Sequence, residues 1–183
     1  MAAAPEIASV VRRLGQEISH AFPDGALLVA VMRGSVPFVA DLARTISAPI
    51  AVDFLAISTY APGTGRVRLT KDLDCDVQGR DVVLVEDLVD TGLTLNYVMT
   101  ELAGRGPRSL SACALLNRAR RRLVPTDLRF VGLEVDEDLI LGYGLEYGGI
   151  YPNAAGIYDA DLHRLRSDRH TYVPQLFPPT PED

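Results

Sequence analysis

The chain has 183 residues, of which 48% are apolar and 23% charged, as expected for one globular domain. No run approaches the roughly 18–20 consecutive apolar residues of a membrane helix, and the first residues lack the pattern of a secretion signal, so we expect a cytoplasmic protein without a membrane partner. The formal net charge of −6 argues against binding to a nucleic-acid backbone, although backbone amides could still hold a small anion.

The first part of the sequence alternates between helical and strand patterns. Apolar residues at spacings of three and four predict a helix over residues 5–22. The continuous apolar run Ala26–Met32 predicts a strand that is covered on both faces. Helical spacing returns over Pro37–Ile46, and a second strand is predicted at Ile50–Ser58.

The central part of the sequence continues this alternation. A fully apolar strand is predicted at Val82–Val85, followed by a helix from Gly92 to about Gly104. Two further strands are predicted at Ser111–Leu116 and Leu128–Leu133. Strands that alternate with helices indicate an α/β fold with a parallel sheet and right-handed crossovers.

Two segments interrupt or follow this pattern. Residues 61–66 are rich in proline and glycine and lie in a connection that is long for a compact domain, which is typical of a functional lid. The segment 162–183 is rich in arginine and proline and is predicted to be a mostly irregular tail. We therefore predict one domain over residues 1–161, followed by this tail.

A candidate anion site lies where the strand at 82–85 leads into the next helix. Residues Asp90 to Thr94, here called the phosphate-binding turn, would place free amides and two hydroxyls at the start of that helix, whose dipole favours negative charge. Gly92 would let the backbone approach a ligand closely. In a simpler interpretation, Asp90 or Thr91 only caps the helix.

Two adjacent carboxylates, Glu86 and Asp87, lie between the strand and this turn. They would repel a phosphate unless a cation or a hydroxyl group lies between them and the ligand. Carboxylates accept hydrogen bonds from ribose hydroxyls, and Mg²⁺ can bridge carboxylates and a pyrophosphate. The combination favours a sugar phosphate bound together with Mg²⁺.

The segment Val82–Leu95 resembles the phosphoribosyl-pyrophosphate motif of type I phosphoribosyltransferases, in the form found in the hypoxanthine-guanine family. Further segments resemble the same family in the same order along residues 5–160. They are the pyrophosphate loop at Met32–Ser35, the strand and lid at 52–60, the purine-contacting strand end at 115–118, and the hood at 130–134 and 142–147.

The resemblance implies a parallel-sheet, Rossmann-like core flanked by helices, with a small hood subdomain. It implies an enzyme of purine salvage that transfers 5-phosphoribosyl from phosphoribosyl pyrophosphate to N9 of hypoxanthine or guanine and releases pyrophosphate. The transition state is oxocarbenium-like, so positioning and charge stabilisation should provide most of the acceleration. The family uses Mg²⁺ and commonly forms homodimers or homotetramers.

The resemblance also implies residue roles. Asp90 would exchange a proton with the purine N7, and the Met32–Arg33 peptide bond would be cis. The ribose and 5′-phosphate would be held by Glu86, Asp87, Asp90, Thr91, Gly92, Leu93 and Thr94. The other expected roles are pyrophosphate binding for Arg33 and Gly34, lid closure for Thr59 and Tyr60, base binding for Arg118, Leu139 and Ile140, and metal binding for Glu86, Asp87 and Glu146.

The base-binding end departs from the family pattern. Arg118 stands where a lysine is usual, Leu139 where a stacking aromatic is expected, Glu146 where an aspartate is usual and Pro152 where an arginine is usual. These exchanges leave a second base open, such as xanthine or a deazapurine. The neighbouring arginines at 120–122 are expected to form a solvated face.

A different class of function is a regulator that senses nucleotides on the same fold without catalysis, since a fold does not fix a function. Asp90, together with the two upstream acids, favours the enzyme, because a sensor has less need of a group that transfers a proton.

Overall fold

The computed structural model describes residues 2–58 and 68–178. Its centre is a six-stranded sheet in the order β3-β2-β1-β4-β5-β6, in which only β3 runs antiparallel to its neighbour. The strands are β1 at Ala26–Met32, β2 at Ile50–Ser58, β3 at Arg68–Lys71, β4 at Asp81–Val89, β5 at Ser109–Asn117 and β6 at Phe130–Glu134.

Helices cover both faces of this sheet, as the sequence predicts. They are α1 at Ala4–Ala21, α2 at Val36–Thr45 and α3 at Leu93–Ala103. The helices α1 and α2 pack on the face that carries Val83 and Val85, whereas α3 packs on the face that carries Val82 and Leu84. The buried apolar runs of β1 and β4 follow from this arrangement, because neither face of the central strands meets solvent.

The strand β4 is longer than the sequence prediction, which ended it at Val85. It continues to Val89 because Leu88 and Val89 still pair with Leu116 and Asn117 of β5. Glu86 and Asp87 therefore lie within the strand. The hydrophobic pattern alone could not show this, because charged residues interrupt the apolar run while the backbone pairing continues.

The strand β3 was not predicted, because its four residues alternate between exposed and half-buried and carry only one large apolar side chain. It pairs with the end of β2 through Ser58 and Arg68. The expectation that residues 130–134 belong to the hood was wrong, since they form the edge strand β6 of the main sheet.

The hood consists of residues 135–161 and carries a two-stranded antiparallel sheet, with β7 at Ile140–Leu141 and β8 at Tyr158–Asp159. The prediction of a mostly irregular tail from Leu162 onward was wrong for residues 162–178. Two short helices, α4 at Leu162–Ser167 and α5 at Val173–Leu176, form there. Their apolar side chains pack on the hood, which the arginine- and proline-rich composition concealed.

Across residues 2–58 and 68–178, none of the helices has both the length and the apolar composition needed to cross a membrane.

Candidate active site

A cleft of about 680 Å³ opens at the carboxyl ends of β1 and β4. Ligand sites of open parallel sheets lie at this edge. The pyrophosphate loop after β1 forms one wall, the end of β4 and the phosphate-binding turn form the floor, and residues 144–146 of the hood form the other wall.

The phosphate-binding turn presents free backbone donors. The helix α3 begins at Leu93 with Gly92 as its N-cap, and no side chain caps it. Thr91 Oγ1 only weakly accepts from the Leu93 amide, at 3.4 Å. Within the described part of the chain, the amides of Gly92, Thr94 and Leu95 donate to no protein acceptor. The simple capping interpretation is therefore insufficient, and the turn can bind an anion.

Gly92 is required for a different reason from the one expected. Its φ is +84°, and a Cβ there would lie 2.6 Å from Cγ2 of Thr126 and 2.9 Å from Cδ of Arg122. The space that a side chain would need is thus taken up by residues 122–126. Gly92 allows the turn to pack closely against this segment while its backbone lines the cleft.

The two acidic residues of β4 point to opposite faces, as successive strand residues do. Glu86 is buried, and its Oε1 has no hydrogen-bond partner among residues 2–58 and 68–178. Burial together with the charge of Asp87 raises the pKa of Glu86 well above the ordinary value. Burial also raises the pKa of Asp87. A buried carboxylate without a partner is unfavourable. Glu86 is therefore suited to accept a hydrogen bond from a ligand, or to bind a cation that accompanies the ligand.

The pyrophosphate loop lies directly against Asp87. A Cβ at Gly34 would lie 1.8 Å from Oδ2 of Asp87, so any larger residue here would displace the Asp87 carboxylate. The Met32–Arg33 peptide bond is cis, as the resemblance predicts. The Arg33 side chain is 85% exposed in the cleft, and its Nη2 lies 3.6 Å from Oε1 of Glu146 in the hood.

Asp90 lies at the end of the cleft, next to several arginines. Its Oδ2 accepts a hydrogen bond from Nη1 of Arg118 at 3.0 Å, and Nη1 of Arg121 lies 4.0 Å from the same oxygen. The Arg118 side chain is buried, with 4% exposure, whereas that of Asp90 is 36% exposed. Arg118 therefore fixes one carboxylate oxygen of Asp90 and leaves Oδ1 without a partner.

The buried polar side-chain atoms that lack a partner in the described residues are all at this site. They are Oε1 of Glu86, Oδ1 of Asp90 and Nε of Arg118. Folded proteins pair nearly all buried polar groups, and exceptions mark functional positions. Glu86 and Asp90 line the cleft, so these two acceptors indicate a ligand that brings hydrogen-bond donors or a cation.

Comparison with known proteins agrees with this geometry. Residues 1–147 match the family model of the phosphoribosyl transferase domain. A hypoxanthine-guanine phosphoribosyltransferase of Mycobacterium avium is 42% identical over 168 residues, which cover 86% of this chain and 83% of the relative. The chain belongs to the hypoxanthine-guanine phosphoribosyltransferase family.

Other relatives support the same assignment. A hypoxanthine phosphoribosyltransferase of Salmonella typhimurium is 40% identical over 152 residues, covering 80% of this chain and 85% of the relative. A crystal structure of a hypoxanthine-guanine phosphoribosyltransferase from Bacillus anthracis superimposes with a TM-score of 0.84 at 31% identity, covering 88% of this chain and 96% of that one. The predicted type I phosphoribosyltransferase fold and glycosyltransferase class are thus confirmed.

Most of the residues that the family pattern assigns to catalysis, to the ribose and phosphate groups and to the metal line one cleft. They are Arg33, Gly34, Glu86, Asp87, Asp90, Thr91, Gly92, Thr94 and Glu146. Leu93 is the exception, because its side chain is 50% exposed and turned away from the cleft, so only its backbone could take part. The lid residues Thr59 and Tyr60 lie outside the described residues.

The predicted base-binding residues are not brought to the cleft. Ile140 is buried in the core and pairs with Asp159, whereas Leu139 packs with the hood cluster around Leu141. Arg118 is buried beneath Asp90 and does not line the cleft. Base binding by these three residues stays a prediction. It requires Arg118 to act through Asp90 or to change its position.

Several residues at the site were not found from the sequence. Leu88, from the unpredicted end of β4, and Thr70, from the unpredicted β3, line the cleft. The arginines at 120–122 do not form one solvated face, because Nη1 of Arg122 donates to the backbone oxygen of Asp90 at 2.8 Å. Tertiary packing of residues 118–124 determines this contact, and no local pattern indicates it.

Proposed function

We propose that this chain catalyses the transfer of 5-phosphoribosyl from phosphoribosyl pyrophosphate to N9 of hypoxanthine or guanine. A bond forms between N9 and C1′ of the ribose, while the bond from C1′ to the pyrophosphate oxygen breaks. Pyrophosphate leaves with the electron pair, and the purine loses the proton on N7. The products are the nucleoside 5′-monophosphate and pyrophosphate.

The observation that carries this proposal is the state of the Asp90 carboxylate. One oxygen is fixed by Arg118 at 3.0 Å, and the other is buried and unpaired beside the cleft. The Asp90 side chain lines the cleft and is 36% exposed, so its carboxylate can accept the N7 proton when the base binds within hydrogen-bond reach. An aspartate that caps a helix would instead accept hydrogen bonds from the helix amides, and the Asp90 side chain does not cap α3.

The phosphate groups would be divided between two walls of the cleft. The free amides of the phosphate-binding turn would hold the 5′-phosphate, supported by the hydroxyls of Thr91 and Thr94 and by the dipole of α3. Arg33 and the backbone at Gly34 would bind the pyrophosphate from the opposite wall. Because the protein provides little covalent chemistry, this positioning is its main contribution.

The carboxylates of Glu86, Asp87 and Glu146 would hold the ribose hydroxyls and Mg²⁺. The described residues contain no group of three or more His, Cys, Asp or Glu side chains arranged as a metal site. Mg²⁺ needs fewer protein ligands, since it is often bound by one or two carboxylates together with substrate phosphates. The unpaired Oε1 of Glu86 fits this role. The ion would neutralise charge on the leaving pyrophosphate.

The identity of the base is the least constrained part of the proposal. Arg118 keeps the positive charge of the lysine that is usual in the family, but it is engaged with Asp90. Leu139 cannot stack as an aromatic would, and the apolar residues Leu88 and Val89 line the cleft next to Asp90. These differences favour testing xanthine and a deazapurine as second substrates.

The test is a panel of hypoxanthine, guanine, xanthine and a 7-deazapurine, each with phosphoribosyl pyrophosphate and Mg²⁺, followed by nucleotide formation. The proposal expects the highest kcat/KM with hypoxanthine or guanine. The 7-deazapurine lacks N7 and should be the poorest substrate if Asp90 acts there. Turnover with none of the bases, together with tight binding of a nucleotide, would instead support a nucleotide-sensing regulator.

We further propose that the enzyme works in the cytoplasm as a homodimer or homotetramer, as is common in the family. Sedimentation at micromolar concentration tests the assembly, and a monomer would contradict it.

A further inference from the structure

Arg122 contacts the phosphate-binding turn from outside the cleft. Its Nη1 donates to the backbone oxygen of Asp90 at 2.8 Å, and its Nη2 donates to Oδ1 of Asn117 at the end of β5. Its Cδ occupies the space that a Cβ on Gly92 would need. One guanidinium thus joins the first residue of the turn to the end of β5.

The neighbouring backbone strengthens this contact. The amide of Arg118 donates to the Val89 oxygen at 2.9 Å, and the amide of Leu123 donates to the Thr91 oxygen at 2.9 Å. Together with Arg122, these donors occupy three successive carbonyl groups, from the last residue of β4 to the second residue of the turn. Residues 118–124 therefore donate hydrogen bonds to the carbonyl oxygens of Val89, Asp90 and Thr91.

The direction of the carbonyl groups fixes the direction of the amides. A trans peptide unit is planar, and its C=O and N–H bonds point in opposite directions. Since the Asp90 oxygen points to Arg122, the Thr91 amide points away from it. The same geometry turns the Gly92 amide away from Leu123. Thr91 and Gly92 line the cleft, so their donors are directed to the proposed 5′-phosphate subsite.

We propose that Arg122 is a positioning residue, which orients the amides of the phosphate-binding turn for the 5′-phosphate without touching the substrate. The inference rests on the proposed function, because that function places a phosphate at the turn. Without the guanidinium, the carbonyl oxygen of Asp90 loses the donor that holds it, and the orientation of the Asp90–Thr91 peptide plane is less constrained. Arg122 therefore contributes to affinity for the sugar phosphate more than to affinity for the base.

The test compares Arg122→Met and Arg122→Lys with a matched control, Arg120→Met. Arg120 lies two residues away, is 81% exposed and forms an ion pair with Asp136 on the surface. Ribose 5-phosphate serves as the probe, and its binding is followed through the amide NMR signals of residues 91–94. Steady-state KM values for phosphoribosyl pyrophosphate and for the base are measured on the same proteins.

The inference expects Arg122→Met to weaken ribose 5-phosphate binding and raise the KM for phosphoribosyl pyrophosphate by about tenfold or more, with the KM for the base within about twofold. Arg122→Lys keeps one donor, so its affinity for ribose 5-phosphate and its KM for phosphoribosyl pyrophosphate should lie between those of the wild type and of Arg122→Met. Arg120→Met should match the wild type in both quantities. If Arg122→Met does not fold, the comparison of Arg122→Lys with the wild type tests the inference.

Unchanged ribose 5-phosphate affinity in the Arg122 variants would overturn the inference, and so would an equal rise in both KM values. If ribose 5-phosphate fails to shift the amides of residues 91–94 even in the wild type, the phosphate subsite of the proposed function is wrong. The two failures are therefore distinguishable.

Discussion

Arg118 and Asp90 form an ion pair with 3.0 Å between Nη1 and Oδ2, and the arginine side chain is 4% exposed. The pair connects the end of β5 to the residue that follows β4. It has two consequences for the site. The Asp90 carboxylate is held in one orientation, and Arg118 is not free to reach a base in the way that a flexible lysine would.

Replacing Arg118 by methionine should leave Asp90 without its partner and lower the free energy of unfolding by about 2–3 kcal/mol, because a partly buried charge loses its hydrogen bond. Urea unfolding measures this. Arg118→Lys should recover only part of the loss, since an ammonium lacks the planar fork. Arg120→Met, which removes an exposed pair, should cost less than about 1 kcal/mol. A methionine variant at position 118 as stable as the wild type would show that the pair contributes nothing.

Gly92→Ala should damage the phosphate-binding turn. The added Cβ would lie 2.6 Å from Thr126 at a φ of +84°, so the turn must move. We expect a KM for phosphoribosyl pyrophosphate that is raised at least tenfold, and a loss of about 2 kcal/mol in unfolding free energy. Gly79→Ala is the control, because Gly79 also has a positive φ, of +70°, but a Cβ there meets nothing within 4 Å. Equal effects of the two substitutions would mean that backbone strain alone, and not contact with residues 122–126, explains the loss.

Asp81 should contribute to stability in a pH-dependent way. Hydrogen bonds from Arg108 and Ser109 lower its pKa from 3.8 to about 2. A carboxylate whose pKa is lower in the folded state stabilises the protein above the unfolded pKa, and this stabilisation is lost as the pH falls through the folded pKa. The stability difference between wild type and Asp81→Asn should therefore be constant above about pH 5 and shrink between pH 4 and pH 2. Chemical unfolding at several pH values measures it, with the exposed Asp127→Asn as control. A difference that does not vary with pH would refute this account.

The segment 162–178 should stabilise the hood. Leu165 of α4 is 1% exposed and packs with Leu141 and Tyr151, whereas Leu162 of the same helix is 39% exposed. Leu165→Ala should cost about 2–4 kcal/mol if the hood unfolds together with the core, and Leu162→Ala less than about 1 kcal/mol. Urea unfolding and limited proteolysis of the hood measure the two effects. Equal results for the two leucines would contradict a packed segment.

The main sheet was largely predictable because its strands carry a strong local signal. The bounds of β1 and β2 agree with the prediction, since each is a dense apolar run bounded by breakers. β3 and the hood strands were missed because they are short and only paired through tertiary contacts. The end of β4 was missed because Glu86 and Asp87 break the apolar pattern, although the pairing with β5 continues.

The candidate site was predictable where its residues lie close together in one segment of the sequence. The turn at 90–94 and the acids of β4 are consecutive, and Arg33 is recognised from its own loop. The base-binding end depends on how residues 118–124 and the hood pack against the turn. This packing directs Arg118 and Arg122 towards Asp90, and it places Leu139 in the hood cluster. No hydrophobic periodicity in the sequence indicates these positions.

The most direct test of the central claim is the rate of pyrophosphate release by wild type and Asp90→Asn, with phosphoribosyl pyrophosphate, Mg²⁺ and hypoxanthine or guanine. The account predicts one pyrophosphate per nucleotide formed by the wild type. It also predicts a rate about 10²–10⁴ times lower in the variant, since asparagine cannot take the N7 proton. Equal and negligible rates for both proteins with every base would contradict the claim that this chain is a phosphoribosyltransferase in which Asp90 transfers the proton.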